Sequence, residues 1–143
     1  MKKKKVWRYY CEFCKKSGCS GGCMKKHEER CTLNPNRTCG MCKLIEETQP
    51  DLVPALELLP EPSDFTTVRS DSDGCGEWVS YDGLGEAANL VMPQLRDMLN
   101  NCPACILAAL RQGGIPVPCV DGFNYKSESK DFFDGVNQSQ MTW

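Results

Sequence analysis

Residues 9–31 read YYCEFCKKSGCSGGCMKKHEERC and contain the only histidine of the chain. The spacing C-x2-C-x12-H-x3-C joins Cys11, Cys14, His27 and Cys31. Two cysteines at i and i+3 in a tight turn can both point at one ion, and a His and a Cys four apart lie on one face of a helix. Deprotonated thiolates with a neutral imidazole suit Zn²⁺. The stretch therefore predicts a tetrahedral zinc site.

This spacing is typical of a ββα-like finger with Cys as the fourth ligand, which we place at residues 9–38. Tyr9, two residues before the first Cys, and Met24, three before the His, agree with it. Gly18 departs from it, because an aromatic side chain is expected there. A rival ligand set has the pattern C-x2-C-x4-C-x3-C and consists of Cys11, Cys14, Cys19 and Cys23. The histidine at finger spacing favours the first set.

Two further Cys-x-x-Cys pairs, Cys39–Cys42 and Cys102–Cys105, predict a second zinc site with four cysteine ligands. The first pair looks like a zinc knuckle turn. The second opens a helix at Pro103, where free N–H groups and the positive dipole end favour thiolate. A knuckle and a helix-opening pair together resemble a treble-clef site. The 59 intervening residues would then be an insertion, which loop-closure entropy permits.

Other roles for the cysteines are less well supported. A redox role would place a Cys-x-x-Cys pair after a strand in a βαβ pattern, and neither pair has that context. Cys75 and Cys119 have no partner at a useful spacing. The eleven cysteines are odd in number, so they cannot all form intramolecular disulfides. With no secretory signal after Met1, we expect the reducing cytosol, where thiols persist as metal ligands.

The charge of the chain is strongly polarised. Residues 1–43 hold twelve lysines and arginines and three acids, for a net charge of +9. Residues 44–143 hold five bases and sixteen acids, for −11. This split predicts a basic surface with an anionic partner, either nucleic acid or an acidic protein surface, including the chain's own acidic half. No run of apolar residues is long enough for a membrane span.

Along the chain we expect a basic arm at 1–8, the finger, and a mostly helical module at 39–143 with an acidic loop at about 60–85. A short helix is expected near 51–59. Apolar spacing predicts another from Leu84, which Pro93 either kinks or divides in two. A last short helix near 126–136 would place its apolar residues on one face; these are Phe132, Phe133 and Val136. The fold class is thus small, zinc-stabilised α+β.

Residues 9–42, with Tyr-x-Cys-x-x-Cys, Met-Lys-Lys-His-Glu-x-x-Cys and Asn-Pro-Asn-Arg-x-Cys-x-x-Cys, resemble small zinc-finger proteins of tailed bacteriophages. The run CPACILAALRQ at 102–112 and the aromatic-rich 123–133 are similar to the C-terminal parts of that group. The resemblance covers roughly half of the chain. It implies zinc binding and a bacteriophage origin, but no particular activity, because such proteins are mostly of unassigned function.

A lone finger reads about three base pairs through side chains near the start of its helix. Those positions fall on Ser20, Cys23 and Lys26, of which two are short, so the finger is poorly equipped to read sequence. The basic residues could instead neutralise phosphates, giving affinity without specificity. The candidate nucleic-acid-binding residues are Lys2, Lys3, Lys4, Lys5, Arg8, Lys15, Lys16, Lys25, Lys26 and Arg30.

Catalysis is disfavoured. His27-Glu28-Glu29 with Cys102-x-x-Cys105 superficially fits the H-x-E and P-C-x-x-C pattern of zinc nucleobase deaminases. Asn101 replaces the proline, however, and His27 already fits a closed four-ligand site, which is structural. We therefore predict a non-enzymatic protein with two zinc ions that binds nucleic acid or a protein partner. The alternative is a zinc-stapled component of a virus particle or assembly.

Overall fold

The computed structural model describes residues 1–74 and 76–141. Over these residues the chain forms two antiparallel two-stranded sheets and six α-helices. In chain order they are β1 (Tyr9–Tyr10), β2 (Ser17–Gly18), α1 (Gly21–Arg30), α2 (Gly40–Leu44), α3 (Val53–Leu58), β3 (Thr66–Ser70), β4 (Glu77–Tyr81), α4 (Leu84–Met98), α5 (Pro103–Gln112) and α6 (Tyr125–Met141). Short 3₁₀ helices cover Pro62–Phe65 and Val117–Cys119. The predicted small α+β class is confirmed.

The first sheet and α1 form a small N-terminal unit. In the sheet, Tyr9 lies opposite Gly18. The helix starts after Ser20, whose hydroxyl accepts a hydrogen bond from the Cys23 N–H at 3.4 Å, as an N-cap residue does. A Cβ added to Gly21 would lie 3.3 Å from the Tyr9 ring, so glycine lets the strand and the helix approach closely. These contacts set the first Cys-x-x-Cys turn against the end of α1.

The main core lies around α5, which is buried at every residue from Pro103 to Leu110. Most of its fully buried large side chains come from α4, α5 and the turn between them; these are Leu84, Leu95, Leu99, Cys105, Ile106 and Leu110. Pro93 lies inside α4, which continues as one helix, so the division into two helices that the proline allowed does not occur. The helix predicted near 51–59 is confirmed as α3, and its Ala55 reaches this core.

The acidic loop predicted at about 60–85 is wrong, because most of this segment is the β3–β4 hairpin. Its strands pair in register from Thr66 opposite Tyr81 to Ser70 opposite Glu77. The strands consist largely of β-branched and aromatic residues, which favour extended backbone, and residues 71–74 lie between them. Both strands are largely exposed, so the alternation of apolar and polar residues that marks a half-buried strand is absent.

The last helix is longer than predicted, running from Tyr125 to Met141. Phe132 packs against the main core and Val136 is partly buried, as expected. Placing Phe133 on the same face is wrong: its side chain is 45% exposed. Adjacent residues on a helix point about 100° apart, so one stripe cannot hold both phenylalanines.

Side chains of α5 tie the N-terminal unit to the main core. The Gln112 Nε2 donates hydrogen bonds to the Thr32 and Asn34 carbonyl oxygens, at 3.0 Å and 3.2 Å. Arg111 donates to the Thr32 hydroxyl at 3.1 Å. Asn34 in turn donates to the Glu28 carbonyl oxygen at the end of α1, at 2.7 Å. The loop after α1 is therefore held from both sides.

Candidate metal centres

The first cluster brings together the ligand set predicted from the finger spacing. One ligand atom from each of its four residues lies within 4.8 Å of the others; the residues are Cys11, Cys14, His27 and Cys31. The first two cysteines lie between β1 and β2, the histidine in the last turn of α1, and Cys31 just beyond it. The Cys14 Sγ lies 3.2 Å from the His27 Nε2. Cys19 and Cys23 of the rival set are exposed and lie outside the cluster.

Backbone N–H groups are directed at the sulfurs of the first cluster. Phe13 donates to the Cys11 Sγ at 3.4 Å, and Lys16 donates to the Cys14 Sγ at 3.5 Å. Burial raises the pKa of the Cys11 thiol, but hydrogen bonds from the backbone of Phe13 and Cys14 outweigh it and lower that pKa overall. At Cys31 burial prevails and raises the pKa. The Cys-x-x-Cys turn is thus arranged to stabilise thiolate.

A carboxylate outside the ligand set holds this turn in place. Glu28 Oε1 accepts the Glu12 N–H at 3.0 Å, joining the middle of the Cys-x-x-Cys turn to the residue after His27. Met24 is buried beside Cys11 and Cys31, where the finger spacing predicted an aliphatic residue. Tyr9 stays half exposed and covers Gly21.

The second cluster joins Cys39 and Cys42 to Cys102 and Cys105. Sulfur separations are 3.7 Å for Cys39–Cys102 and 3.7 Å for Cys42–Cys105, and all four residues are buried. The pairing was predicted, but the knuckle turn at the first pair is not found. Cys39 is instead the N-cap of α2, as Cys102 is of α5. Two helix starts therefore face each other across the cluster.

Gln49 stabilises the first half of this site through two hydrogen bonds. Its Oε1 accepts the Cys39 N–H at 2.5 Å, and its Nε2 donates to the Arg37 carbonyl oxygen at 2.9 Å. No local pattern marks a glutamine ten residues beyond the cysteine it supports.

The thiols of the second cluster cannot all ionise without a cation. The pKa of Cys39 is strongly lowered, because the thiols of Cys102 and Cys105 donate hydrogen bonds to it. Burial, together with the charge at Cys102, raises the pKa of Cys42 to about 12. The pKa of Cys105 is also raised, since hydrogen bonding to Cys102 and Cys39 keeps its proton in place. A divalent cation would supply the charge that four buried thiolates need.

The geometry of both clusters fits a tetrahedral ion. Zn–S bonds of about 2.3 Å at tetrahedral angles place two sulfurs about 3.8 Å apart, close to the 3.7 Å separations of the second cluster. Zn–S and Zn–N bonds similarly place sulfur and nitrogen about 3.6 Å apart, near the 3.2 Å of the first. The Cys₃His and Cys₄ clusters could therefore each hold one metal ion, as predicted.

The deaminase-like pattern does not form one site. His27 belongs to the first cluster, whereas Cys102 and Cys105 belong to the second.

The ten predicted nucleic-acid-binding residues are all exposed. Of these, Arg8 donates to the Ser17 hydroxyl at 3.1 Å. Within residues 1–74 and 76–141 the ion pairs are Arg69–Asp82 and Arg96–Glu128, so none of the ten is paired with an acid there. In the same part of the chain, no helix has the length and apolar character needed to cross a membrane. Cys119 is exposed, and Cys75 lies outside the described residues.

Comparison with known proteins adds no relative: no protein-family model, curated protein or solved structure matches the chain. The fold and the two clusters define a small α+β protein with two groups of side chains able to bind metal.

Proposed function

We propose that the chain is a non-enzymatic zinc protein that binds the phosphate backbone of nucleic acid through its basic N-terminal surface. That surface comprises Lys2, Lys3, Lys4, Lys5, Arg8, Lys15, Lys16, Lys25, Lys26 and Arg30. The observation that carries the proposal is its exposure without acidic partners in the described residues. Within residues 1–74 and 76–141 no acidic side chain forms an ion pair with these cations, which leaves them available to an external polyanion.

Zinc is the metal that best suits the donors. Three or four thiolates with tetrahedral spacing favour Zn²⁺, and a set of four protein ligands leaves no open position for a substrate. Both ions would then be structural, the first in a finger-like unit and the second joining α2 to α5. His27, the single histidine, would be a ligand and would not be free to act as a catalytic base.

The hydroxyl of Ser20 supports binding without sequence reading. This residue occupies a base-reading position of the finger alignment, and its side chain caps α1. Contacts would therefore go to phosphates, whose number sets the salt dependence of the affinity.

The test is a gel-shift titration of the zinc-loaded protein on a short duplex at several salt concentrations. Affinity should fall with salt, with a slope of about −0.9 per phosphate contact in log–log form. Replacing Lys15, Lys16, Lys25 and Lys26 by Gln should flatten that slope. The matched control replaces Lys126 and Lys130 in α6, which lie outside the basic surface. If the protein does not shift the duplex at low salt, the proposal is wrong.

The runner-up is a zinc-stapled component of a virus particle, in which the basic surface meets an acidic protein. The polarised charge of the chain favours it, since an acidic half on one copy could face the basic half of a neighbour. The bacteriophage resemblance agrees with either role, as does a location in the host cytoplasm or the virion. Recovery of the protein in purified particles, with no shift of the duplex, would select this alternative.

A further inference from the structure

Arg37 is an arginine buried without partners for most of its guanidinium. The residue is only 6% exposed, and in the described residues neither its Nε nor its Nη1 has a hydrogen-bond partner. Burial removes the hydration of these two nitrogens, and no group in the described part of the chain replaces it. Burying a cation in this way is costly unless an anion lies close to it.

The backbone holds Arg37 in this position. Its N–H donates to the Asn34 carbonyl oxygen at 3.2 Å, and its own carbonyl oxygen accepts from Gln49 at 2.9 Å. Asn34 is itself bonded to Glu28 and Gln112. The backbone of Arg37 is therefore held in place from both metal-centre neighbourhoods.

Arg37 lines a cavity of about 670 Å³, which we call the Arg37 cavity. Two more cations, Arg30 and Lys43, line it with one acid, Glu46, so its net charge is near +2. The volume falls within the range of small-molecule sites. The charge suits a phosphate dianion better than a single carboxylate.

Aromatic rings also line the cavity. Tyr125 and Phe133 line the cavity and are 36% and 45% exposed. Phe133 meets Phe132 edge-on, with ring centroids 5.4 Å apart, and Phe132 packs against the main core. The partly exposed Phe133 ring is thus supported by Phe132, and it can serve as a stacking surface for a flat ligand.

We propose that the Arg37 cavity binds a nucleoside phosphate, with the phosphate at Arg37 and Lys43 and the base against Tyr125 and Phe133. The ligand is either a free nucleotide or a phosphorylated end of a nucleic acid strand, which share this chemistry. The inference goes beyond the proposed function, because Arg30 is the one residue of the basic N-terminal surface among those lining the cavity.

The experiment uses calorimetry on the full metal-loaded chain with AMP, adenosine, inorganic phosphate and a short single strand with or without a 5′-phosphate. AMP should bind one to one, and adenosine should bind at least about tenfold more weakly, as loss of a charge-assisted contact implies. Equal affinity for AMP and the phosphorylated strand indicates a free nucleotide. Tighter binding of the phosphorylated strand than of either AMP or the unphosphorylated strand indicates a strand end.

Four variants locate the site. Lys43→Gln should weaken AMP by about tenfold. Tyr125→Leu and Phe133→Leu should lower the affinity for AMP and leave the affinity for inorganic phosphate unchanged. Lys130→Gln is the charge-matched control outside the cavity and should bind as wild type. If no probe binds, or if the Lys43 and aromatic variants bind every probe as wild type does, the proposal is wrong.

Arg37→Met provides an independent measurement. Met keeps much of the buried aliphatic part of the side chain and removes the unsatisfied charge. The ligand-free variant should therefore have a melting temperature no lower than that of wild type, and it should no longer bind AMP. A large drop in its melting temperature would show that the guanidinium is already satisfied, and would overturn the proposal. The variant lacking Lys15, Lys16, Lys25 and Lys26 separates the two proposals, because it should lose duplex binding and keep AMP.

Discussion

The sulfurs of Cys39 and Cys102 lie 3.7 Å apart although 63 positions separate the two residues. Each residue is the N-cap of a helix, and each has its second cysteine three positions later. Cys42 and Cys105 repeat the separation at 3.7 Å. The cluster therefore joins the starts of α2 and α5. A metal ion bound there would link the two ends of the intervening segment, which contains α3, the β3–β4 hairpin and α4.

Removing one ligand of this cluster should cost one metal ion. We expect Cys105→Ser to lower the metal content from two ions to one per chain and to abolish cooperative unfolding of the main core, because binding energy at such sites is folding energy. Elemental analysis and thermal circular dichroism measure both effects. Cys119→Ser is the matched control, since its thiol is exposed and outside either cluster. Retention of two ions by Cys105→Ser would contradict the assignment.

Glu28 should tune the first cluster without being a ligand. Glu28→Ala removes the acceptor for the Glu12 N–H in the Cys-x-x-Cys turn, so metal affinity there should fall by about tenfold or more. Competition with a chromogenic chelator measures this. Glu28→Gln keeps an acceptor and should recover most of the affinity, while Glu29→Ala, whose side chain is exposed, should match wild type. Equal affinities for the two alanine variants would refute the role.

Gly85 marks a close approach between α4 and the Val117–Cys119 turn. A Cβ added there would clash with the Cys119 carbonyl oxygen. Gly85→Ala should therefore lower the free energy of unfolding by about 1–3 kcal/mol, as overpacking does. Gly135→Ala in α6 meets nothing within 4 Å and should instead stabilise by up to about 1 kcal/mol through helix propensity. Urea unfolding should show opposite signs for the two variants; equal signs would disprove the contact.

The ion pair between Arg96 and Glu128 should give a pH-dependent contribution to stability. The guanidinium and carboxylate meet at 2.6 Å and 2.8 Å, and Arg96 also donates to the Gly122 carbonyl oxygen. Hydrogen bonds from Arg96 hold the pKa of Glu128 below its ordinary 4.5. The contribution is thus complete above pH 4.5 and disappears as the pH falls through the folded pKa.

Glu128→Gln should accordingly cost about 1–2 kcal/mol at pH 7. Its difference from wild type should stay constant down to about pH 5 and shrink below pH 4.5, where the unfolded wild-type chain protonates this carboxylate before the folded protein does. Urea unfolding of both proteins at each pH checks this, and Asp131→Gln, on the same helix, serves as the control. A difference that grows on acidification would have the wrong sign.

Features set by local spacing could be predicted from the sequence. Cys11, Cys14, His27 and Cys31 span 21 residues, and the turn and helix that place them depend on neighbours in the chain. The pairing of Cys39–Cys42 with Cys102–Cys105 could also be predicted, because both are unclaimed thiol pairs and one opens a helix.

Features set by tertiary packing could not be predicted from the sequence. The β3–β4 hairpin has both faces largely exposed, so hydrophobic periodicity gives no signal for it. Arg37 counts as one more base in a basic segment until packing buries it. Phe132 and Phe133 look alike in the sequence, and only the position of α6 against α5 decides which one enters the core.

The positions of the ligands along the chain also imply an order of assembly. The first cluster has all its ligands once Cys31 has left the ribosome, whereas the second must wait for Cys105. Short loops close more readily than long ones, and N-terminal parts fold first during synthesis. The N-terminal unit can therefore take its metal while Cys39 and Cys42 are still unpaired. Scarce metal during translation would then leave chains with a complete first site and an open second one.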